Sequence, residues 1–352
     1  MSVITPCHNV SMQLLERTFE SLKNQTCGFD KIEWVVIIHN CVEENALEIE
    51  SLAEGYENIR TFRLENDKNY AASPRNYGID RATGTYICFL DADDYVELDT
   101  FEVVLGYFQE TGAQLLAFRY KVLKDSPDIK LTLRPLVYLD QTQKCITGNH
   151  DTLDGSRILH GEAFQIGSKA YSRGFLNENA IRFNENIPFA EESEFFIRCY
   201  GTAGTVCFLP QFIGQTYCQY SDGMAAMLKK TPEVAMNYAK GFKILFDSGL
   251  GLGLYMNTVI WDMLGYYSAV LLATMDLSYK DRKEVKRLLW PYVKSLMPLE
   301  ESKVYTASKI KLMNRLIRTV LGHPALIGAA MSLLKGLKVD MAEKMNIGYD
   351  SE

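Results

Sequence analysis

Tyr86-Ile87-Cys88-Phe89-Leu90-Asp91-Ala92-Asp93-Asp94-Tyr95 is the stretch that decides the fold of this 352-residue chain. Five residues of strand or apolar character run directly into three carboxylates within four positions. An apolar run this short fits a strand buried on both faces of a parallel sheet. Ligands of such sheets gather at the carboxyl ends of the strands, so the acidic triplet falls where a binding crevice is expected. Adjacent carboxylates repel one another, and a bound cation relieves that repulsion. Hard oxygen ligands that only partly enclose an ion suit Mg²⁺ or Mn²⁺ shared with a phosphate. A solvated Asp-rich turn is the plainer alternative.

Upstream, the pattern repeats strand, helix, strand, helix, strand. Ser2-Val3-Ile4-Thr5-Pro6 reads as a strand ended by proline, and Cys7-His8-Asn9 as a turn. Ser11 is placed to cap a helix whose apolar positions are Leu14, Leu15, Thr18, Phe19 and Leu22. Glu33 to Ile38 is a second strand ending at His39-Asn40, residues 45–56 a helix, and residues 60–64 a third strand. This alternation implies a parallel sheet with helical crossovers. Ser73 or Pro74 begins the next helix, with Arg75 and Asn76 in its first turn, where free N–H groups favour an anion. Arg75 adds a planar donor fork suited to phosphate or carboxylate; an ordinary surface arginine is the alternative.

Downstream, residues 98–110 read as a helix and 114–122 as a strand. Residues 125–160 are polar and irregular, long enough to suggest a hairpin or a flap over the site. A helix is expected to open within residues 187–198, where Glu191, Glu192 and Glu194 also suit the positive end of a helix dipole. Val206 to Leu209 is a further strand, and from Thr231 the pattern is almost wholly helical. Residues 254–277 read as a buried helix rather than a membrane span, because Asn257 and Asp262 interrupt them.

The totals narrow the class. With 47% hydrophobic and 23% charged residues, the composition is that of a soluble globular protein with a sizeable core. A net charge of −7 argues against a general nucleic-acid binder. The eight cysteines form no Cys-x-x-Cys pair, which favours reduced core thiols over a disulfide frame or a zinc site. The chain opens on a strand rather than on a leader, so a cytoplasmic location is expected.

Six blocks, in order, resemble the family 2 glycosyltransferases, inverting enzymes of the GT-A fold. Residues 2–9 are similar to the family's opening strand and turn, and Ser21 to Thr26 to its first helix end. Ser73-Pro74-Arg75-Asn76-Tyr77-Gly78-Ile79 resembles its A-R-N-x-G-I block, and Gly84 to Tyr95 its G-x-Y-I-x-F-L-D-x-D-D block. Lys169 to Arg173 with Ile181-Arg182-Phe183 resembles the acceptor-side blocks, and Ala190 to Phe195 the E-D-x-x-F block that carries the base.

The resemblance implies an α/β GT-A catalytic domain over residues 1–222 and a helical C-terminal region over 223–352. It implies donor contacts from Pro6, His8, Asn9, His39, Asn40, Arg75, Asn76, Asp91, Ala92 and Asp93, with Mn²⁺ or Mg²⁺ on Asp93. Glu192 is the implied base, with Lys169 and Glu191 on the acceptor side. The implied donor is a nucleotide-diphosphate sugar, and the implied acceptor a glycan or lipid-linked hydroxyl in surface polysaccharide synthesis. Two positions depart from the pattern. The family's second strand ends in an Asp pair, where this chain has Ile38-His39 followed by Asn40, so base reading is expected to fall to Asn40, His39 or main-chain groups. The base position is Glu192 instead of Asp. A nucleotidyltransferase and an inactive nucleotide-sugar-binding module remain the alternatives.

Between Lys303 and Lys344 eight basic residues face only Asp340 and Glu343, a net +6. Ile310, Leu312, Met313, Leu316, Ile317, Val320 and Leu321 recur beside them at helical spacing. Such a segment can lie on an anionic membrane face, pack on the protein or form a dimer contact, and peripheral membrane association is the expectation taken here.

Overall fold

The structure is a computed structural model. It describes residues 1–68, 70–124, 132–134, 139–140, 142–154, 159, 166–187, 189–220, 232–261, 263–264, 278–297 and 307–322. Two compact units divide the chain: residues 1–158, 162–186 and 191–221 form the first, and 159–161, 187–190 and 222–352 the second.

The first unit is built on a mixed sheet. Its strands are β1 (Ser2–Cys7), β2 (Glu33–His39), β3 (Ile59–Leu64), β4 (Tyr86–Phe89), β5 (Tyr95–Val96), β6 (Leu115–Lys124), β7 (Thr132–Arg134), β8 (Ile146–Gly148), β9 (Lys169–Ser172) and β10 (Val206–Gln219). The helices are α1 (Met12–Lys23), α2 (Glu43–Leu52), α3 (Ala72–Arg81), α4 (Thr100–Thr111), α5 (Arg173–Glu178) and α6 (Glu191–Thr202). The strand order is β3-β2-β1-β4-β9-β6-β10-β5, with β7 on β6 and β8 on β10. β3, β2, β1 and β4 run parallel, as the βαβ pattern requires. β9 is inserted antiparallel between β4 and β6.

Burial on both faces explains the apolar runs. On one side Leu15, Phe19 and Leu22 of α1 pack with Val3, Trp34 and Val36, and Phe19 stacks on Trp34 at 5.4 Å. The indole N–H of Trp34 donates to Thr5 Oγ1 at 2.8 Å, so this buried polar group is satisfied. On the other side α3 comes close to β1 at Gly78, where a Cβ would lie 2.4 Å from Ile4 Cγ2. At the far end of the sheet from the acidic turn, Glu33 gathers Ser2 Oγ, Arg60 and the Thr83 N–H.

Several local expectations change. Ser11 precedes α1, but its side chain makes no capping hydrogen bond; its carbonyl accepts from Leu14 and Leu15 instead. The second helix is Glu43–Leu52, and the helix expected to open from 187 begins at Glu191. β10 extends to Gln219, ten residues beyond the short strand expected, because its register with β6 shifts between Leu209 and Ile213, around Pro210. A strand that absorbs an irregularity can continue past a proline that cannot donate. Of the expected flap, residues 125–131, 135–138, 141, 155–158 and 160 lie outside the described residues; its described parts include β7 and β8.

The second unit contains α7 (Pro232–Gly251), α8 (Tyr279–Ser295) and α9 (Ala307–Gly322). Phe246 meets Tyr292 edge-on at 5.1 Å, the Tyr292 hydroxyl donates to Asp247, and Trp261 Nε1 donates to Asn314 at 3.1 Å. Ile317, Val320 and Leu321 of α9 are buried in this packing. Three of the seven apolar residues foreseen for membrane contact are therefore packed within the unit; the side chains of Ile310, Leu312, Met313 and Leu316, and residues 303–306 and 323–344, lie outside the described part. The buried helix expected at 254–277 is described only to Leu264, with Val259, Ile260, Trp261, Met263 and Leu264 buried. No described helix is long and apolar enough to cross a membrane.

Candidate active site

The acidic turn after β4 and the first turns of α3 and α6 converge on Arg75. Its guanidinium is only 1% exposed. Nη2 donates to Asp91 Oδ1 at 2.9 Å and lies 2.8 Å from Glu192 Oε1, while Nη1 is 3.6 Å from Glu191 Oε1. One buried cation thus faces three carboxylates. Burial alone would lower the Arg75 pKa, but Glu192, Asp91 and Glu191 raise it, so the guanidinium is firmly charged. Its Nε and Nη1 are buried and make no hydrogen bond among the described residues. An aromatic cluster supports it: Phe183 lies beneath the guanidinium at 5.6 Å and stacks on Phe195 at 3.9 Å.

Negative charge exceeds what Arg75 neutralises. Burial, then the neighbouring Glu192, pushes Glu191 up against the pull of Arg75. Burial also raises Glu192, with Arg75 opposing. A carboxylate raised in this way is a better proton acceptor near neutral pH. Ala190, immediately before α6, holds φ 65°, a left-handed strain at the start of the helix that carries both glutamates.

The acidic triplet divides into three roles. Asp91 belongs to Arg75. Asp94 is fully buried; it accepts from Gln215 Nε2 at 2.9 Å and the Cys218 N–H at 2.8 Å, pinning the turn to β10. Asp93 is pushed up to about 6, by burial and then by Asp91. Thr18 Oγ1 donates to the carbonyls of Ala92 and Asp94, so buried Ala92 presents no side-chain polar group to a ligand and its carbonyl is already engaged. Arg17 of α1 donates to the Asp93 carbonyl at 2.5 Å and to the Tyr220 hydroxyl at 2.9 Å.

Asp93 is the residue that would hold a divalent cation. Among the described residues no group of three or more His, Cys, Asp and Glu converges as a metal cage. A cation held there would draw its remaining ligands from outside the protein, as Mg²⁺ and Mn²⁺ do from phosphate and water.

The expected base-reading groups are already engaged. Asn40 donates to the carbonyls of Asn66 and Lys68, both at 3.0 Å, and accepts from the Asn66 N–H. His39 Nε2 lies 3.1 Å from Asn66 Oδ1, which also accepts from the Lys68 N–H. His39 and Asn40 therefore hold the 66–68 turn in this structure. Asn76 is likewise committed: it donates to the Phe183 carbonyl and Glu185 and accepts from the Phe183 N–H, clipping that segment to α3.

His8 and Asn9 are exposed beside half-buried Pro6. His8 Nδ1 lies 2.9 Å from the His39 carbonyl, which can only accept, so Nδ1 carries the proton and Nε2 faces away with its lone pair when the ring is neutral. Asn9, at φ 48°, accepts from the Val42 N–H. Lys169 is 1% exposed, with its ammonium 4.8 Å from the Phe196 ring, and its charge holds Glu192 down. Sequence reasoning missed Arg17, Asn66, Gln215 and the structural role of Asp94. Polar residues within a helix, a loop or a strand carried no motif to mark them.

A curled mixed sheet flanked by helices, with acidic residues at the carboxyl edge, defines the GT-A class of nucleotide-sugar enzymes. Residues 2–174 match the Glycosyl transferase family 2 description, and this part of the chain is a family 2 glycosyltransferase domain. Among curated proteins, the chain is 38% identical over 201 residues to the minor teichoic acid biosynthesis protein GgaB of Bacillus subtilis, covering 55% of this chain and 20% of that protein. It is 26% identical over 209 residues to the poly(ribitol-phosphate) beta-N-acetylglucosaminyltransferase TarS of Staphylococcus aureus, covering 59% of this chain and 34% of TarS. The match thus spans about a fifth of GgaB and about a third of TarS. The crystal structure of S. aureus TarS 1-349 in complex with UDP-GlcNAc superposes with a TM-score of 0.57 at 18% identity, covering 91% of this chain and 90% of that one.

Proposed function

We propose that this chain is an inverting glycosyltransferase that moves a sugar from a nucleotide-diphosphate donor to a hydroxyl of a glycan or lipid-linked acceptor. The reaction belongs to surface polysaccharide synthesis at the cytoplasmic face of the cell. The observation that carries this reading is the bridge from Asp91 through Arg75 to Glu192. It ties the donor side of the crevice to the base. A UDP-sugar is the favoured donor because TarS was crystallised with UDP-GlcNAc. With the side chains of His39 and Asn40 engaged, base reading falls to main-chain groups at the ends of β1 and β2 and to His8. Residues 1–222 carry the chemistry and 223–352 the helical region.

In this mechanism the crevice positions donor and acceptor, and Glu192 takes the proton of the attacking hydroxyl. Attack from the face opposite the leaving diphosphate inverts the anomeric carbon in one displacement. Arg75 keeps Glu192 ionised in a buried setting and fixes its carboxylate. Glu191 borders the acceptor. A cation on Asp93, when bound, neutralises charge on the leaving diphosphate.

Incubation with a panel of sugar nucleotides and Mn²⁺, read by mass spectrometry, tests this reading. Sugar transfer, or slow donor hydrolysis lost in Glu192→Gln, supports it. Diphosphate release from a nucleoside triphosphate, or nucleotide binding without turnover under every condition, sinks it.

A further inference from the structure

The chain's net charge is −7, yet α8 and α9 together carry ten Lys and Arg against only Asp281 and Glu284. In α8 the buried side is Val285, Leu288, Leu289, Tyr292 and Val293. The opposite side, at helical spacing, presents Lys283, Lys286, Arg287, Trp290, Pro291 and Lys294, which line one groove of about 600 Å³. Lys283, Arg287 and Lys294 are exposed. Lys286 donates to the Gly322 carbonyl at 2.6 Å and lies 5.1 Å from the Trp290 ring. A Cβ on Gly322 would fall 2.8 Å from that ring, so the end of α9 fixes the indole in place. Like charges three and four residues apart weaken a helix. Only Arg287 is relieved by a carboxylate within the helix, at Glu284, among the described residues.

We propose that this groove binds a phosphodiester-linked polyanionic glycan, the acceptor of the transferase reading on which the proposal rests. From Lys283 to Lys294 the helix advances about 16 Å, a length suited to successive phosphates on one chain rather than to a single anion. The indole offers a flat apolar surface for the carbon skeleton between phosphates. An anionic membrane fits less well. The apolar residues Ile317, Val320 and Leu321 of α9 are buried within the unit and are not offered to a bilayer, as the apolar residues of interfacial helices are.

The test is calorimetric titration of the full chain with a synthetic ribitol-phosphate oligomer at low and high salt. Phosphatidylglycerol vesicles and a single-stranded oligonucleotide of equal charge serve as competing probes. The exposed pair Lys283→Glu/Lys294→Glu is compared with wild type, with thermal melting to verify that both are folded. Wild type binds the oligomer with an affinity that falls with salt. The variant binds about tenfold more weakly and hydrolyses donor at the wild-type rate. Equal binding by the variant, or vesicles or oligonucleotide binding as tightly as the oligomer, overturns the groove. Oligomer binding by a chain that handles no sugar nucleotide instead refutes the transferase reading and, with it, the acceptor assignment, while the groove stands as a polyanion site.

Discussion

Arg75 and Glu192 meet at 2.8 Å inside the fold, and the same guanidinium nitrogen holds Asp91 at 2.9 Å. Glu192, the proposed base, is therefore anchored to the turn that ends the central strand. Glu192→Gln keeps the shape and removes the proton acceptor. Transfer should fall by about 10²–10⁴-fold while donor affinity, measured by titration, stays close to wild type. If Glu191→Gln is the inactive variant instead, the base is its neighbour.

Removing the shared cation exposes the carboxylates to one another. Arg75→Ala should cost about 3–5 kcal/mol of stability, the range for breaking a buried ion pair on one side. Denaturant unfolding measures it. Adding Asp91→Asn in the Arg75→Ala background should recover part of that loss, and strict additivity of the two changes would contradict the coupling.

Asp93 titrates at about 6 in the fold, above the value of about 3.9 expected when unfolded. The folded state therefore favours the protonated form. That stability is full below the unfolded value and is lost as pH rises through about 6. Without metal, the melting temperature should decline between pH 5 and 7, and Mn²⁺ at pH 7 should restore it. Mn²⁺ affinity should in turn drop as pH falls below 6. Asp93→Asn should flatten both effects; a variant that still responds to Mn²⁺ like wild type would place the cation elsewhere.

At the other end of the sheet the sign reverses. Burial alone would raise Glu33, but hydrogen bonds from Ser2, the Thr83 N–H and Arg60 bring it down to about 2. Its contribution is present above the unfolded value of about 4.3 and is lost as pH falls toward 2. Glu33→Gln should remove roughly 1–2 kcal/mol at pH 7, discounted for the partial exposure of the site, and should make acid unfolding less steep between pH 4 and 2. An unchanged acid transition would remove Glu33 from the account.

How much of this could be read beforehand depended on range along the chain. Tyr86 to Phe89 announced a buried strand because its signal is local, and the same holds for β2 and α3. The grouping of Arg75, Asp91 and Glu192 followed from ordered family blocks rather than from spacing. What escaped were partnerships over long separations. Nothing near Asp94 reveals that Gln215, 121 residues away, receives its carboxylate. Nothing near Asn40 reveals that the 66–68 turn would absorb both ends of its amide. The antiparallel insertion of β9 and the length of β10 were hidden for the same reason, since pairing partners and register shifts leave no periodic trace in their own segments.

The unbalanced carboxylates around Arg75 also shape what laboratory selection would recover. A library of this chain screened only for heat resistance should enrich neutral residues at positions 91, 93, 191 and 192, because each relieves repulsion among these carboxylates. The survivors would be well folded and idle, and sequencing them would outline the crevice without any substrate in the tube.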